Sequence, residues 1–402
     1  MNKLLKFISV WLLAACLFGC ANPDIETTVN IPVTAGTEST TEATEVPTPA
    51  VEEKRISFAA VGDNLLHNTV TYSAQIEKGK FDFSPIYKDI GALAGKYDLA
   101  FVNQEIPLGG VELGISGYPT FNGPAEAADG LFGAGFDIIN VASNHSLDKG
   151  MNGLLASLEN IKAAGFDKIA GAFPDEENLD DFLIFEQDGV KIGMLSYTYG
   201  TNGIPLPQSN PNIVPLIDTD KITADVEKIR DDCDVLIVSM HWGTEYKLSP
   251  TDNQKELASL LNELGVDVII GHHPHVIEPV EVLTSSSGHE TVCFYSLGNF
   301  VSNQHDAPTM LGGMASFEIV KTIEGDIEIQ NYGVLPIVTH FNSNASQFNI
   351  YPLDNYTEDM ANAHGINKYD SRFGYNYLHE LADEVLQEYR LTVGDLEKLF
   401  ND

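Results

Sequence analysis

Apolar runs closed by glycine or a polar residue recur along the chain, and each reads as a buried strand. Ile56–Val61 runs into Gly62-Asp63, Leu99–Val102 into Asn103, and Phe136–Ala142 into Ser143-Asn144-His145. Val235–Met240 runs into His241, Val266–Ile270 into Gly271, and Thr291–Ser296 into Leu297-Gly298-Asn299. Runs of this length, rich in β-branched residues, suit central parallel strands. Helical spacing separates them: Leu154, Leu155, Leu158 and Ile161; a segment around Ile222–Arg230; and Leu257, Leu260, Leu261 and Leu264 within Thr251–Leu264. Leu378, Leu381, Val385 and Leu386 predict a further helix within Tyr375–Tyr389. Phe182–Phe185 and Lys191–Tyr197 flank Asp188-Gly189, and Gly313–Lys321 and Asp326–Val334 flank Glu324–Asp326; both read as hairpins. Tyr197–Val214, rich in Gly, Pro and Asn with aromatic residues, reads as a long loop over whatever site the strand ends form. Strands alternating with helices imply an α/β fold.

Val268–Val276 is the stretch around which the rest is organised. Three histidines, His272, His273 and His275, follow a buried strand at the place where open α/β sheets put their ligands. In an extended segment His273 and His275 project to one side, with Pro274 stiffening the loop between them. Other strand ends carry Asp63, Glu105, Asn144-His145 and His241. Of 11 histidines, His67, His145, His241, His272, His273 and His275 lie in these loops, a concentration that independent helix caps would not produce.

Composition and charge narrow the setting. The chain has 402 residues, ample for one large domain with additions, and a formal net charge of −36. That charge argues against nucleic acid or an anionic membrane surface as partner, since both call for basic patches. Ile8–Phe18 follows Lys3 and Lys6 and has the form of a secretory signal, too short for a transmembrane helix. It ends Leu17-Phe18-Gly19-Cys20, which resembles a bacterial lipobox, with Phe18 departing from the usual pattern. Residues 1–20 are therefore expected to be a lipoprotein signal, Cys20 the lipidated residue, and the location the outer face of the cell membrane. Residues 21–53, dominated by Thr, Glu and Pro, read as a disordered acidic linker. A domain over 54–340 and a C-terminal extension over 341–402 with a terminal helix complete the expected layout. Cys233 and Cys293 flank or lie in apolar runs and read as small buried hydrophobes, a disulfide between them being the alternative.

Asp63, Glu105, Asn144, His241, His273 and His275 mix carboxylate, amide oxygen and imidazole without thiolate. Such donors suit Mn²⁺, Fe or Zn²⁺ more than Ca²⁺ or Mg²⁺. They are too many for one tetrahedral ion and fit two ions sharing a bridging carboxylate. A hydroxide held by such a pair attacks while both ions steady charge on a phosphoryl or acyl oxygen.

These motifs resemble the CapA-type proteins of poly-γ-glutamate capsule synthesis, within the calcineurin-like metallophosphoesterase superfamily. The matching pieces are Gly62-Asp63, Asn103-Gln104-Glu105, Ser143-Asn144-His145 with Asp148 and Gly150, His241-Trp242-Gly243 with Glu245-Tyr246, Gly271–Val276 and Tyr295–Phe300. They occur in the family's order from about Ile56 to Val338. Gln104 and Ser143 stand where the family usually has Leu and often Asn.

The resemblance implies a four-layer α/β/β/α metallo-dependent phosphatase-like sandwich. By position, Asp63 would bind a first metal together with His275, Glu105 would bridge, and Asn144, His241 and His273 would bind a second. His145, oriented by Asp148, would protonate the leaving group. Leu65 occupies the third place of the superfamily's Asp-x-His motif, leaving the first metal one ligand short, with His67 as a candidate substitute. His272 is a candidate metal ligand if the loop register differs by one, and otherwise stands behind the ligands or contacts substrate. Trp242, Glu245 and Tyr246 are candidates for an additional metal or substrate contact along the cleft, or, for Trp242 and Tyr246, pack the core. Asn299 and Phe300 are expected to support the neighbouring loops. The expected function is a cell-surface metal-dependent hydrolase that cleaves a phosphoester or γ-glutamyl amide bond. Its partners would be an anionic polymer or phosphoester substrate and capsule-synthesis membrane proteins. A non-catalytic assembly or export factor for an anionic capsule polymer is the alternative; a component whose metal is only structural is a third reading.

Overall fold

The computed structural model describes residues 53–174 and 182–400. The expected signal, Cys20 and the linker to residue 52 lie outside the described residues. No helix among the described residues is long and apolar enough to cross a membrane.

In chain order, β1 (Lys54–Asn64), α1 (Asn68–Ser73) and the ribbon of β2 (Gln75–Glu77) and β3 (Lys80–Phe81) lead to α2 (Ser84–Ala94) and β4 (Leu99–Asn103). α3 (Glu126–Gly133), β5 (Ile138–Asn140), α4 (Gly150–Ala164) and β6 (Lys168–Ala170) follow. The hairpin of β7 (Leu183–Gln187) and β8 (Val190–Thr198) precedes α5 (Thr219–Ile229), β9 (Val235–His241) and α6 (Asp252–Glu263). Next come β10 (Val268–His272), β11 (Val280–Thr284), β12 (Glu290–Phe294) and β13 (Asn299–Val301). β14 (Leu311–Lys321), β15 (Ile327–Phe341), β16 (Phe348–Pro352), α7 (Glu358–Ala363), α8 (Tyr375–Leu386) and α9 (Val393–Leu399) end the chain.

The strands form two large sheets. One has the order β16-β15-β14-β1-β4-β5-β6 with β13 beside β1, the other β11-β12-β10-β9-β8-β7. Alternation along the second sheet separates its faces. Val235, Ile237, Val268, Ile270, Val292 and Phe294 join the main core against the first sheet. Leu236, Val238, Met240, Ile269 and Cys293 join a second core. There Ile222 and Val226 of α5 and Leu257 and Leu261 of α6 cover them. Phe294 meets Phe317 of β14 across the gap between sheets at 6.1 Å. Ile86, Leu131 and Leu158 carry α2, α3 and α4 onto the main core. The layers are helix, sheet, sheet, helix, which is the fold class expected.

Local signals account for the elements that place the site. The Asp188-Gly189 turn has φ +49° and +81°, the mirror-image geometry that two-residue hairpins need. Thr251 and Gln254 form a capping box at the start of α6. Gly271 in β10 is obligatory, because a Cβ there would fall 1.9 Å from the Tyr295 carbonyl oxygen. β10 does not stop at that glycine; His272 pairs with His241 of β9 as its last residue. Cys233 and Cys293 are free and buried, so no disulfide joins them.

The first sheet continues past residue 340, where the domain was expected to end. β15 runs to Phe341 and β16 adds to the same sheet, pairing Phe348 with Phe341 and Pro352 with Ile337. The Leu391 amide donates to the Val334 carbonyl at 2.9 Å, and Phe400 meets Tyr97 edge-on at 4.9 Å. Residues after 340 complete the first sheet and its core.

Just past the histidine loop, Glu278 accepts a 2.6 Å hydrogen bond from Gln254 Nε2, tying that loop to the start of α6. Burial raises its carboxyl from 4.5 to about 7, and the Gln254 bond offsets this only in part. A raised folded value means the native state holds its proton more tightly, so stability falls as pH rises from about 4.5 to about 7 and is level above. Glu278→Gln removes that slope. Urea unfolding at pH 5 and pH 8 is expected to show the variant gaining on the wild type by on the order of 2–3 kcal/mol between the two. Parallel curves would refute the assignment.

Candidate functional site

The carboxyl ends of β1, β4 and β5 in one sheet and of β9 and β10 in the other meet along one rim. Asp63, at the end of β1, is fully buried and accepts hydrogen bonds from Asn103 Nδ2 at 2.7 Å and the His273 amide at 3.3 Å. His275 Nδ1 lies 3.0 Å from Oδ2, the oxygen that also takes the His273 amide. Asn103 in turn accepts from Asn140 Nδ2 at 2.7 Å, and Asn140 accepts from the Ser196 hydroxyl of β8. This buried chain crosses from one sheet to the other and fixes the Asp63 carboxylate.

The loop after β10 is not extended. His273 has φ +95° and His275 φ +60°, left-handed conformations that non-glycine residues adopt at a cost of about 1–3 kcal/mol each. Strand alternation is therefore not what brings the two imidazoles together; the coiled loop is, with ring centroids 5.8 Å apart. Asn299 holds the coil, meeting His275 Nδ1 at 3.1 Å and donating to the carbonyls of His275 and Thr309. The Tyr246 amide donates to the Pro274 carbonyl at 2.8 Å, fastening the loop after β9 to it.

Glu105 lies at the centre. It is fully buried and neither carboxylate oxygen has a hydrogen-bond partner. His275 Nε2 is 3.8 Å from Oε1 and His241 Nε2 3.9 Å. Burial pushes its carboxyl well above the ordinary range, against the pull of His275. Burial lowers the His275 imidazole, but the charges of Glu105 and Asp63 outweigh it and hold the group at about 9. Burial would raise Asp63, yet its contacts with His275 keep it well below the usual carboxylate range. Burial drives His241 far down and, with smaller contributions from neighbours, takes His273 to about 3 and His272 to about 4, so these three are neutral imidazoles. His241 Nδ1 and His273 Nδ1 are unpartnered as well.

Buried carboxylates and imidazoles with unused lone pairs are costly unless something satisfies them. Asp63, Glu105 and His275 have ligand atoms within 4.8 Å of one another, and so do Glu245, His273 and His275. Asn144 Oδ1 stands 2.9 Å from His241 Nε2. The structure thus brings Asp63, Glu105, Asn144, His241, His273 and His275 to one floor, and the donor set fits divalent cations of the Mn²⁺, Fe and Zn²⁺ kind.

Above that floor opens a cleft of about 380 Å³ whose walls include Tyr118, Asn144, His145, Asp148, Asn202 and Glu245. His145 Nδ1 lies 2.7 Å from Asp148 Oδ2, which also accepts the Phe121 amide at 2.6 Å. Phe121 meets the imidazole edge-on at 4.8 Å.

The remaining candidates divide. His67 is not brought in: its Nδ1 accepts the Asn303 amide at 3.2 Å and it stands outside both donor groups. Leu65 is a core residue. His272 lies against Phe101 with ring centroids 5.8 Å apart and its Nδ1 3.8 Å from Asp63, beneath the carboxylate. Trp242 does not line the cleft; it is buried in the second core and donates to the Tyr295 carbonyl at 2.9 Å. Glu245 faces the cleft with 46% of its side chain exposed. Tyr246 is half-exposed, 6.2 Å from His275, and its hydroxyl accepts from Gln304. Sequence reasoning missed Asn140, Ser196, Asn202 and Tyr199. Asn202 accepts from Asn144 Nδ2 at 3.2 Å, and Tyr199 covers His273 at 4.6 Å. Asn140 was detectable as the polar residue inside an apolar run; Tyr199 and Asn202 lie in the Tyr197–Val214 segment read as a loop over the site, a signal that marks the segment but not the two residues.

Comparison with known proteins adds a lineage. The profile of a family described as bacterial capsule synthesis protein PGA_cap matches residues 57–304. The PGA biosynthesis protein CapA of Bacillus subtilis (strain 168) is 30% identical over 195 residues, 48% of this chain and 50% of that protein. The capsule biosynthesis protein CapA of Bacillus anthracis is 31% identical over 176 residues, 42% of this chain and 41% of that protein. The chain spans about half the length of the curated relatives it matches. Among solved structures, Haemophilus influenzae NAD nucleotidase (NadN) is similar with a TM-score of 0.45 and 13% identity, over 87% of this chain and 60% of that one.

The asparagine chain makes a direct prediction. Asn103→Leu leaves Asp63 and Asn140 with unmade hydrogen bonds in the core, at an expected cost of about 1–3 kcal/mol in urea unfolding. Adding Asn140→Leu is expected to cost less in that background than alone. Strict additivity would mean that the two do not act as one chain.

Proposed function

Because the chain belongs to the PGA_cap family of bacterial capsule synthesis proteins, we propose that it is a metal-dependent hydrolase acting on a phosphoester or a γ-glutamyl amide bond of capsule polymer. The observation that carries this reading is the buried, unpartnered Glu105 carboxylate facing neutral imidazoles, beside a histidine–aspartate pair that borders an open cleft. Asp63, Glu105 and His275 would hold one divalent ion, and Asn144, His241 and His273 a second, with Glu105 between them. Ions so placed supply Lewis-acid chemistry, polarising a phosphoryl or acyl oxygen and lowering the pKa of water.

The chain's own residues do the rest. Asp148 binds His145 at Nδ1, which leaves Nε2 as the ring nitrogen able to deliver a proton to the leaving group. The Phe121 amide pins Asp148, and the Phe121 ring restrains the imidazole plane. Asn202, 3.3 Å from the same Nδ1, closes that side of the histidine. Tyr118 and Glu245 border the cleft where substrate enters. The signal-like pattern of residues 1–20, ending at Cys20, supports lipid anchoring on the outer face of the membrane, where the partners would be the anionic polymer and the capsule-synthesis membrane proteins.

The test joins metal analysis to turnover. The purified protein, with added Mn²⁺, Zn²⁺ or Fe²⁺, is assayed on a phosphodiester reporter and on poly-γ-glutamate. His273→Ala is expected to lose metal. His145→Ala is expected to keep metal and lose about 10²–10⁴-fold in kcat. A wild-type protein that holds no metal and cleaves neither substrate would replace this reading with that of an assembly or export factor.

A further inference from the structure

Glu245 sits on the loop that follows β9 and is not part of the floor. Gly243 with φ +86° and Tyr246 with φ +66° fold that loop back, and the Tyr246 amide bond to Pro274 sets it against the histidine loop. The result is that Glu245 Oε1 stands 3.9 Å from His275 Nε2, while Glu105 Oε1 stands 3.8 Å from the same nitrogen. Both separations are too long for a hydrogen bond. Two ligands each about 2.1 Å from one ion lie about 3–4 Å apart, so the spacing is that of donors around a common cation. Glu105 gives the independent sign of a ligand, since it is wholly buried with both oxygens unpartnered on the same nitrogen's side.

Resting on the metal-dependent reading above, we propose that Glu245 is a further metal ligand, supplied from the cleft side beside His273 and His275, with whose ligand atoms its own lie within 4.8 Å. With about half of its side chain in water, Glu245 is also the ligand of this shell that a substrate oxygen can most readily replace.

The test reads binding. The full-length protein is stripped and titrated with Mn²⁺ alone, then followed by elemental analysis and by the electron paramagnetic resonance of bound Mn²⁺. The wild type is expected to hold about two ions. Glu245→Gln is expected to weaken one of them at least tenfold while keeping the other, with an unchanged far-ultraviolet circular dichroism spectrum. Glu245→Asp should fall between, and Glu245→Ala serves if the amide disturbs the loop. Unchanged Mn²⁺ affinity in Glu245→Gln and Glu245→Ala, with a wild type that binds both ions, overturns this proposal and leaves the metal-dependent reading standing. Equal loss of both ions overturns the assignment to one position. A wild type that binds neither overturns both.

Discussion

The burial of Glu105 without a hydrogen-bond partner is the constraint to which the surrounding structure answers. An isolated ionised carboxylate in such a place costs several kcal/mol even after relaxation, so it is kept only where something compensates for it. In the protein alone the compensation is partial: His275 shares charge with Glu105 and Asp63, and the other imidazoles stay neutral. The same set of groups that is poorly satisfied by itself becomes well satisfied around a cation. Stability has been given up at this rim for a chemical capacity, as at other sites where charge is buried in advance.

Holding such a set needs a frame stiffer than a loop. Asp63 is fixed by an amide chain through Asn103 and Asn140 to Ser196, which begins in one sheet and ends in the other. His275 is fixed by Asn299 on β13, the short strand that pairs with the end of β1 beside Asp63. Left-handed backbone at His273 and His275 persists because Asn299, Pro274 and the Tyr246 amide over-determine it. The two sheets are thus joined at the site by polar contacts as well as by the aromatic packing of Phe294 on Phe317.

Much of this was legible in the sequence because the strands are short, apolar and sharply closed. β4 and β9 ended where the run of apolar residues ended, with Glu105 and His241 there. What alternation could not reveal was backbone handedness after β10, since nothing in His-His-Pro-His marks a positive φ that glycine would have marked. β16 escaped because it is an edge strand whose Asn349 and Tyr351 interrupt the apolar pattern and whose end is Pro352. α2 escaped for a related reason: Pro85 at its first turn reads as a break in sequence, although helices accept it there. Trp242, which stacks on Tyr295 at 6.0 Å in the second core, was ambiguous in the sequence, because a large aromatic after a strand packs or binds with equal ease.

Family and geometry bear on different parts of the question. Membership in the PGA_cap family speaks to the process, capsule synthesis, and leaves the chemistry open. The geometry speaks to the chemistry and leaves the polymer open. A metal held only for structure would be expected in a closed shell of packed ligands. Here the floor lies under a cleft, and His145 borders that cleft with one ring nitrogen committed to Asp148. An assembly factor has use for a groove and for metal-bridged contact with a polyanion, which a chain of charge −36 would otherwise repel. It has no evident use for an imidazole whose orientation is fixed from two sides by Asp148 and the Phe121 ring. On the proposed reading that pair, more than the candidate metal ligands, would serve proton transfer and hence bond cleavage.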